Sequence, residues 1–179
     1  MATKIKSFFC LQALVMGFSA YVNALPAQIV IIPNAEELPS GALSLTGQER
    51  AQALAPYLTQ TLALIGPGPY QVLFACKPNA VAPNIGSMQT LAPLSFTLGL
   101  PVHTPYGLGD ERAMANLLLN DRRYDGLNIM IAWEQSAVGT LINQLGYDIT
   151  PATSNSMTFV LAYPKTSNTP VSTTYTLGL

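Results

Sequence analysis

The segment Gln28-Ile-Val-Ile-Ile32 constrains this chain more than any other. It is a continuous β-branched run with no polar alternation, the pattern of a strand buried on both faces. Pro33-Asn34 stops it, because proline supplies no N–H to extend a ladder. A strand covered on both sides needs structure packed above and below it. In a chain of 179 residues this points to one α/β domain, since the length suits a single core and is short for two.

The rest of the chain alternates in the same way. Thr46, with Glu49 three residues on, reads as a capping box opening a helix in which Leu54, Leu58 and Leu62 repeat. Pro56 within it predicts a kink or the true first turn, and Gly66-Pro-Gly-Pro69 an end. Gln71–Ala75 is a second buried strand, and the loop from Cys76 to Gly86 leads to a helix start at Ser87–Leu91. Pro93–Val102 is mixed and apolar, with Leu100–Val102 expected as a strand. Asp110 caps a helix carrying Ala113, Leu117 and Leu118 that ends near Asn120-Asp121. Leu127–Trp133 is the clearest later strand, and Val138, Leu141, Ile142 and Leu145 mark a helix stopping at Gly146. Met157–Tyr163 and Val171–Leu177 are rich in β-formers and predict a terminal hairpin. The alternation predicts a three-layer sandwich with a mainly parallel central sheet flanked by helices. No internal repeat or low-complexity tract stands out.

The first segment has a different character. Lys4 and Lys6 form a basic start, Phe8–Ala20 is mostly apolar, and Val22-Asn23-Ala24 offers a small-residue cleavage site. This is the pattern of a secretory signal peptide over residues 1–24, with the mature domain spanning 25–179. An uncleaved anchor is the competing reading, but the apolar run is shorter than the ~20 residues a spanning helix needs. Secreted or periplasmic localisation follows, with no membrane span after cleavage. Cys10 falls in the leader, which leaves Cys76 without an intrachain partner and reads as a buried thiol rather than a reactive one. Charged residues make up 9% of the chain, so Ser, Thr, Asn and Gln must supply much of the polar surface. With no basic run to track a phosphate backbone, nucleic acid is not an expected partner.

Ile29–Glu36 followed by Thr46-Gly-Gln-Glu49-Arg50 resembles the opening of the histidine phosphatase (phosphoglycerate mutase-like) superfamily. There a buried strand delivers an Arg-His-Gly or Arg-His-Ala-Glu motif, and the His becomes phosphorylated. The resemblance implies a phosphoglycerate mutase-like fold whose pocket gathers two Arg and two His at the carboxyl ends of the strands, where open α/β sheets place ligands. Here the first Arg and His positions hold Pro33 and Asn34, while Ala35-Glu36 keep the family pattern. The second Arg of an Arg-x-x-Gln-Thr arrangement, counted back from Gln89-Thr90, falls on Gly86. The second His follows a strand of the form apolar-apolar-x-Trp-Glu-His, and Met130-Ile-Ala-Trp133-Glu134-Gln135 puts Gln135 in its place. Pro33, Asn34, Glu36, Gly86, Glu134 and Gln135 thus outline a vestigial pocket with no catalytic residue.

These replacements remove the chemistry. An amide nitrogen has its lone pair delocalised into the carbonyl, so Asn34 cannot attack phosphorus as an imidazole does. Pro33 and Gly86 bring no side-chain donor, and Gln135 brings only a neutral amide where charged forks would stabilise the transition state. The chain has one His, His103, which excludes a two-His mechanism and reads as a surface or structural residue. The expectation is a pseudoenzyme that binds an unknown protein or small molecule and needs no cofactor. The alternative is a phosphohydrolase with a non-histidine or metal-dependent mechanism, with Glu36 and Glu134 as a carboxylate pair or, with Glu37, as cation ligands. Against that stands local hydrogen bonding by these carboxylates. Arg112, Arg122 and Arg123 read as helix-end decoration. Ser87 and Ser136 have no base discernible from sequence, and no phosphate-binding glycine loop or zinc-like spacing is present.

Overall fold

The computed structural model of the protein describes residues 25–78, 84–148, 157–164 and 171–176. The expected leader, part of the Cys76–Gly86 loop and the turn of the terminal hairpin lie outside these residues. The elements run β1 (Gln28–Pro33), α1 (Leu45–Gln60), β2 (Val72–Ala75), α2 (Gly86–Leu98), β3 (Val102–His103), α3 (Glu111–Asn120), β4 (Asn128–Trp133), α4 (Val138–Gln144), β5 (Met157–Ala162) and β6 (Val171–Thr176). Short 3-10 turns precede β4 at Arg122–Tyr124 and α4 at Gln135–Ala137.

The sheet order is β3-β2-β4-β1-β5-β6. β3, β2, β4 and β1 pair in parallel, and β5 and β6 join antiparallel, so the sheet is mixed with a parallel centre. The run that opens the chain behaves as its composition requires. Ile29 and Ile31 point to a core shared with Met114, Leu118, Leu141 and Ile142 of α3 and α4. Val30 and Ile32 point to the opposite core with Leu54, Leu58, Leu91 and Leu94 of α1 and α2. Strand side chains alternate between faces, so a strand with helices on both faces must be apolar at every position. The result is a three-layer α/β sandwich.

Several local expectations are corrected. Ser44, not Thr46, caps α1, its side chain accepting from the Gly47 N–H at 3.1 Å. Pro56 neither opens nor ends the helix, which closes at Gln60 ahead of the glycine-proline run and leaves Leu62 81% exposed. The expected Leu100–Val102 strand shrinks to Val102–His103 because α2 continues through Pro93 to Leu98. Asp110 occupies the N-cap position of α3, but its carboxylate accepts from the Gly107 N–H instead of a helical amide.

One glycine is fixed by a close approach. A Cβ on Gly47 would lie 2.1 Å from the carbonyl oxygen of Glu36. That carbonyl accepts from Ser44 N–H at 2.8 Å, so the first turn of α1 is pressed against the segment leaving β1.

Candidate functional site

The parallel pairing of β1 with β4 runs through Pro33 opposite Trp133. Both chains therefore leave the sheet side by side at their carboxyl ends. Asn34 donates its backbone N–H to Trp133 O at 2.9 Å, and its side-chain oxygen accepts from Gln135 N–H at 2.9 Å. The asparagine side chain thus acts as a strut between the two strand exits, and it is buried. Pro33, also buried, is the last rung of β1.

The amino end of α2 forms the third side. The Thr90 hydroxyl accepts from Ala35 N–H at 2.9 Å and donates to Gly86 O at 2.8 Å, tying the exit of β1 to the first turn of α2. Gln89 accepts from Leu43 N–H at 2.7 Å. The loop between β1 and α1 folds over this helix end, where the Gly41 carbonyl accepts from Ile85 and Gly86 N–H at 2.9 and 3.0 Å. A helix amino end is a favourable place for negative charge, and here the protein's own carbonyl and carboxylate meet it.

That carboxylate belongs to Glu37. A Cβ placed on Gly86 would lie 1.8 Å from Glu37 Oε1 and 2.6 Å from its Cδ. The Glu37 head therefore rests directly on the α-carbon of Gly86, in the space a side chain at that position would take. It hydrogen-bonds to Asn34, and one of its oxygens, Oε1, is buried without a hydrogen-bond partner. Burial raises its pKa above the usual carboxylate value, the Asn34 bond opposes this, and the charge of Glu134 adds to the rise. No cation is among the groups acting on Glu37.

Glu134 is buried and accepts from the Ser87 hydroxyl at 3.2 Å. Cys76, which follows β2, is buried beside it. Desolvation, with the Glu134 charge as the next cause, pushes that thiol up to about 12. Further along the same strand ends, Trp133 Nε1 and Gly109 N–H both donate to Glu111 Oε1, at 3.2 and 3.0 Å.

Of the residues singled out in the sequence, Asn34, Gly86, Glu134 and Gln135 come together at this corner, with Pro33 directly beneath. Glu36 goes elsewhere. It pairs with Arg50 of α1, at 2.6 Å from Nη2 and 2.9 Å from Nε. Glu36 and Glu134 thus bond locally instead of forming the carboxylate pair of the alternative reading, and it is Glu37 that lies near Glu134, because consecutive residues leaving an extended strand point in opposite directions. Sequence reasoning ranked Glu37 behind Glu36 because only the latter sits in the family-like motif. Ser87 has an acidic neighbour after all, but its hydroxyl is fully buried and spends its proton on Glu134.

The basic residues singled out in the sequence stay outside. His103 is exposed on the edge strand β3, its ring 5.9 Å from that of Phe74. Arg122 and Arg123 form the turn after α3, where Arg123 pairs with Asp121 at 2.6 Å. Arg112 is exposed in the first turn of α3. Among the described residues, no group of three or more His, Cys, Asp or Glu is placed to hold a metal ion.

Fold and site together define a class: a three-layer α/β sandwich whose strand-end corner is lined by carboxylates, an amide strut and a glycine, without a nucleophilic imidazole. No protein-family model matches the chain, and no curated protein matches it. Among solved structures, a protein of Agrobacterium tumefaciens described as the "putative phosphohistidine phosphatase SixA" aligns with a TM-score of 0.49 at 11% identity. The alignment covers 79% of this chain and 94% of that one. At that level no residue role is carried from one chain to the other.

Proposed function

We propose that this chain is an exported pseudoenzyme on a histidine phosphatase-like frame, a binding or interaction module without phosphatase activity. The observation that carries the reading is the Glu37 carboxylate lying on Gly86, hydrogen-bonded to Asn34 and repelled by Glu134. A phosphatase of this type needs cations converging on a phosphoryl group and an imidazole to attack it. Here two acidic side chains share the corner, and the space beside the helix end is filled by one of them. A phosphate dianion brought there would meet like charge at short range in a poorly solvated setting, where Coulomb repulsion is felt most. Asn34 holds strand exits together and Ser87 holds Glu134, so the groups nearest to catalytic positions serve as braces.

The test is turnover of p-nitrophenyl phosphate and of a phosphohistidine peptide by the purified protein. No activity above that of an Asn34→Ala variant is expected. Turnover at ordinary phosphatase rates that disappears in Asn34→Ala overturns the proposal. Export is tested separately by sequencing the amino terminus of protein recovered outside the cytoplasm, expected to begin at Leu25; a chain retained at the membrane with its leader intact refutes that part.

A further inference from the structure

A five-residue pattern occurs twice, as Gln52-Ala-Leu-Ala-Pro56 in α1 and as Gln89-Thr-Leu-Ala-Pro93 in α2. It is too short to register as a repeat along the sequence, yet the two helices pack side by side, and their copies line one groove of about 680 Å³. In each copy the leucine is buried in the core beneath, Leu54 and Leu91, while the glutamine and proline face the groove. Each proline lacks an N–H, so the carbonyl four residues earlier, that of Gln52 and that of Gln89, has no intrahelical donor.

The side-chain amides are held ready. Gln89 accepts from Leu43 N–H at 2.7 Å, and Gln48 donates to Leu43 O at 3.4 Å. Both are therefore tethered to one residue at the groove's end, with the Gln89 amide N–H groups and the Gln48 amide oxygen still able to bond outward. Ala51, Ala55 and Ala92 give low relief, Thr97 adds a hydroxyl, and Phe96, 92% exposed, offers a bare phenyl ring. No charged side chain lines the groove. Ionic ligands gain nothing there. What fits is an uncharged molecule that donates and accepts through the same groups while presenting an apolar face to a ring.

We infer that the α1–α2 groove binds a neutral carbohydrate chain. A hydroxyl donates to the Gln48 amide oxygen and accepts from the Gln89 amide N–H groups, both held at Leu43, and the C–H face of a pyranose ring covers Phe96. A peptide is a poorer match, because its N–H and C=O groups are separate and alternate along the chain. The inference concerns a surface apart from the Asn34–Glu134 corner and does not depend on the fate of phosphatase activity.

The experiment titrates the protein with cellotetraose, maltotetraose, mannotetraose and N,N′,N″,N‴-tetraacetylchitotetraose, followed by side-chain amide NMR and calorimetry. At least one is expected to bind saturably and to shift the Gln52 and Gln89 amide signals. Phe96→Ala and Gln52→Ala are each expected to weaken binding about tenfold or more, a difference in dissociation constant that calorimetry resolves. Both side chains are exposed, and an unchanged melting temperature in the variants verifies folding. No saturable binding by any of the four up to ~10 mM, equal to a binding free energy of only about −3 kcal/mol, overturns the inference. So does binding that both variants leave intact, or a capped neutral octapeptide that binds this groove more tightly than every sugar.

Discussion

Gly86→Ala is the most informative single perturbation of this protein, provided it is made both alone and with Glu37→Ala. Gly86 is the first residue of α2 and does not have a positive φ, so its backbone accepts alanine. In a helix that exchange is worth about 0.5–1 kcal/mol in favour of alanine. The new methyl, however, falls 1.8, 2.6 and 2.8 Å from Glu37 Oε1, Cδ and Cγ, all far inside normal contact. The whole end of Glu37 has to move, with loss of its Asn34 hydrogen bond. Overpacking of this kind costs about 1–3 kcal/mol. Set against the helix gain, Gly86→Ala is expected to destabilise the otherwise unaltered protein by about 0–2.5 kcal/mol. With Glu37 already reduced to alanine the clash vanishes, and the same exchange is expected to stabilise by about 0.5–1 kcal/mol. Urea unfolding followed by the fluorescence of Trp133, fully buried and the only tryptophan, reads all four corners of the cycle. Additivity within about 0.5 kcal/mol, the behaviour of sites that do not touch, refutes the placement of Glu37 on Gly86. The same geometry says that Gly86→Arg alone does not create an anion site, because the arginine stem needs the space Glu37 holds.

Gly47→Ala is expected to cost more than Gly86→Ala, about 2–3 kcal/mol, since its methyl meets the Glu36 backbone carbonyl at 2.1 Å rather than a movable side chain; urea midpoints of the two variants decide it. The raised pKa of Glu37 means that the folded state favours its protonated form, so its stabilising contribution is complete below the unfolded-state carboxylate value and is lost as pH rises through the higher native value. Glu37→Gln is therefore expected to be more stable than the parent at pH 7 and to lose that advantage on acidification below the ordinary glutamate pKa, as thermal melts across pH would report. Cys76, buried with its thiol near 12, is expected to resist a disulfide reagent at pH 8 in the native protein and to react at once in urea; fast native reaction contradicts the burial. A panel of divalent ions at millimolar concentration is expected to leave the melting temperature unchanged, whereas a saturable rise with any one of them would support a metal-dependent reading, because a ligand that binds only the folded state stabilises it.

The strand Gln28–Ile32 and its two cores were legible because burial on both faces forces a continuous apolar run, as it does again in β4. The helix boundaries were less so. Thr46 with Glu49 reads as a capping box, yet Ser44 takes the cap, its side chain accepting from the Gly47 N–H in a first turn that lies against Glu36. Pro93–Val102 reads as a separate mixed apolar segment, whereas α2 runs on through Pro93 to Leu98, with Leu91 and Leu94 buried on either side of the proline.

At the corner of the sheet, the sequence alone determined which groups are present: Asn34, Gly86 and Gln135 bring two neutral amides and a bare α-carbon, with no imidazole or guanidinium among them. Only the tertiary structure decided which side chains meet them. Glu36 and Glu37 are adjacent acids that no sequence pattern ranks by orientation. The strand exit sends one to Arg50 and the other onto the bare α-carbon of Gly86. That contact joins residues far apart in the chain. It depends on the loop from β1 folding back over the end of α2, and no local spacing encodes it.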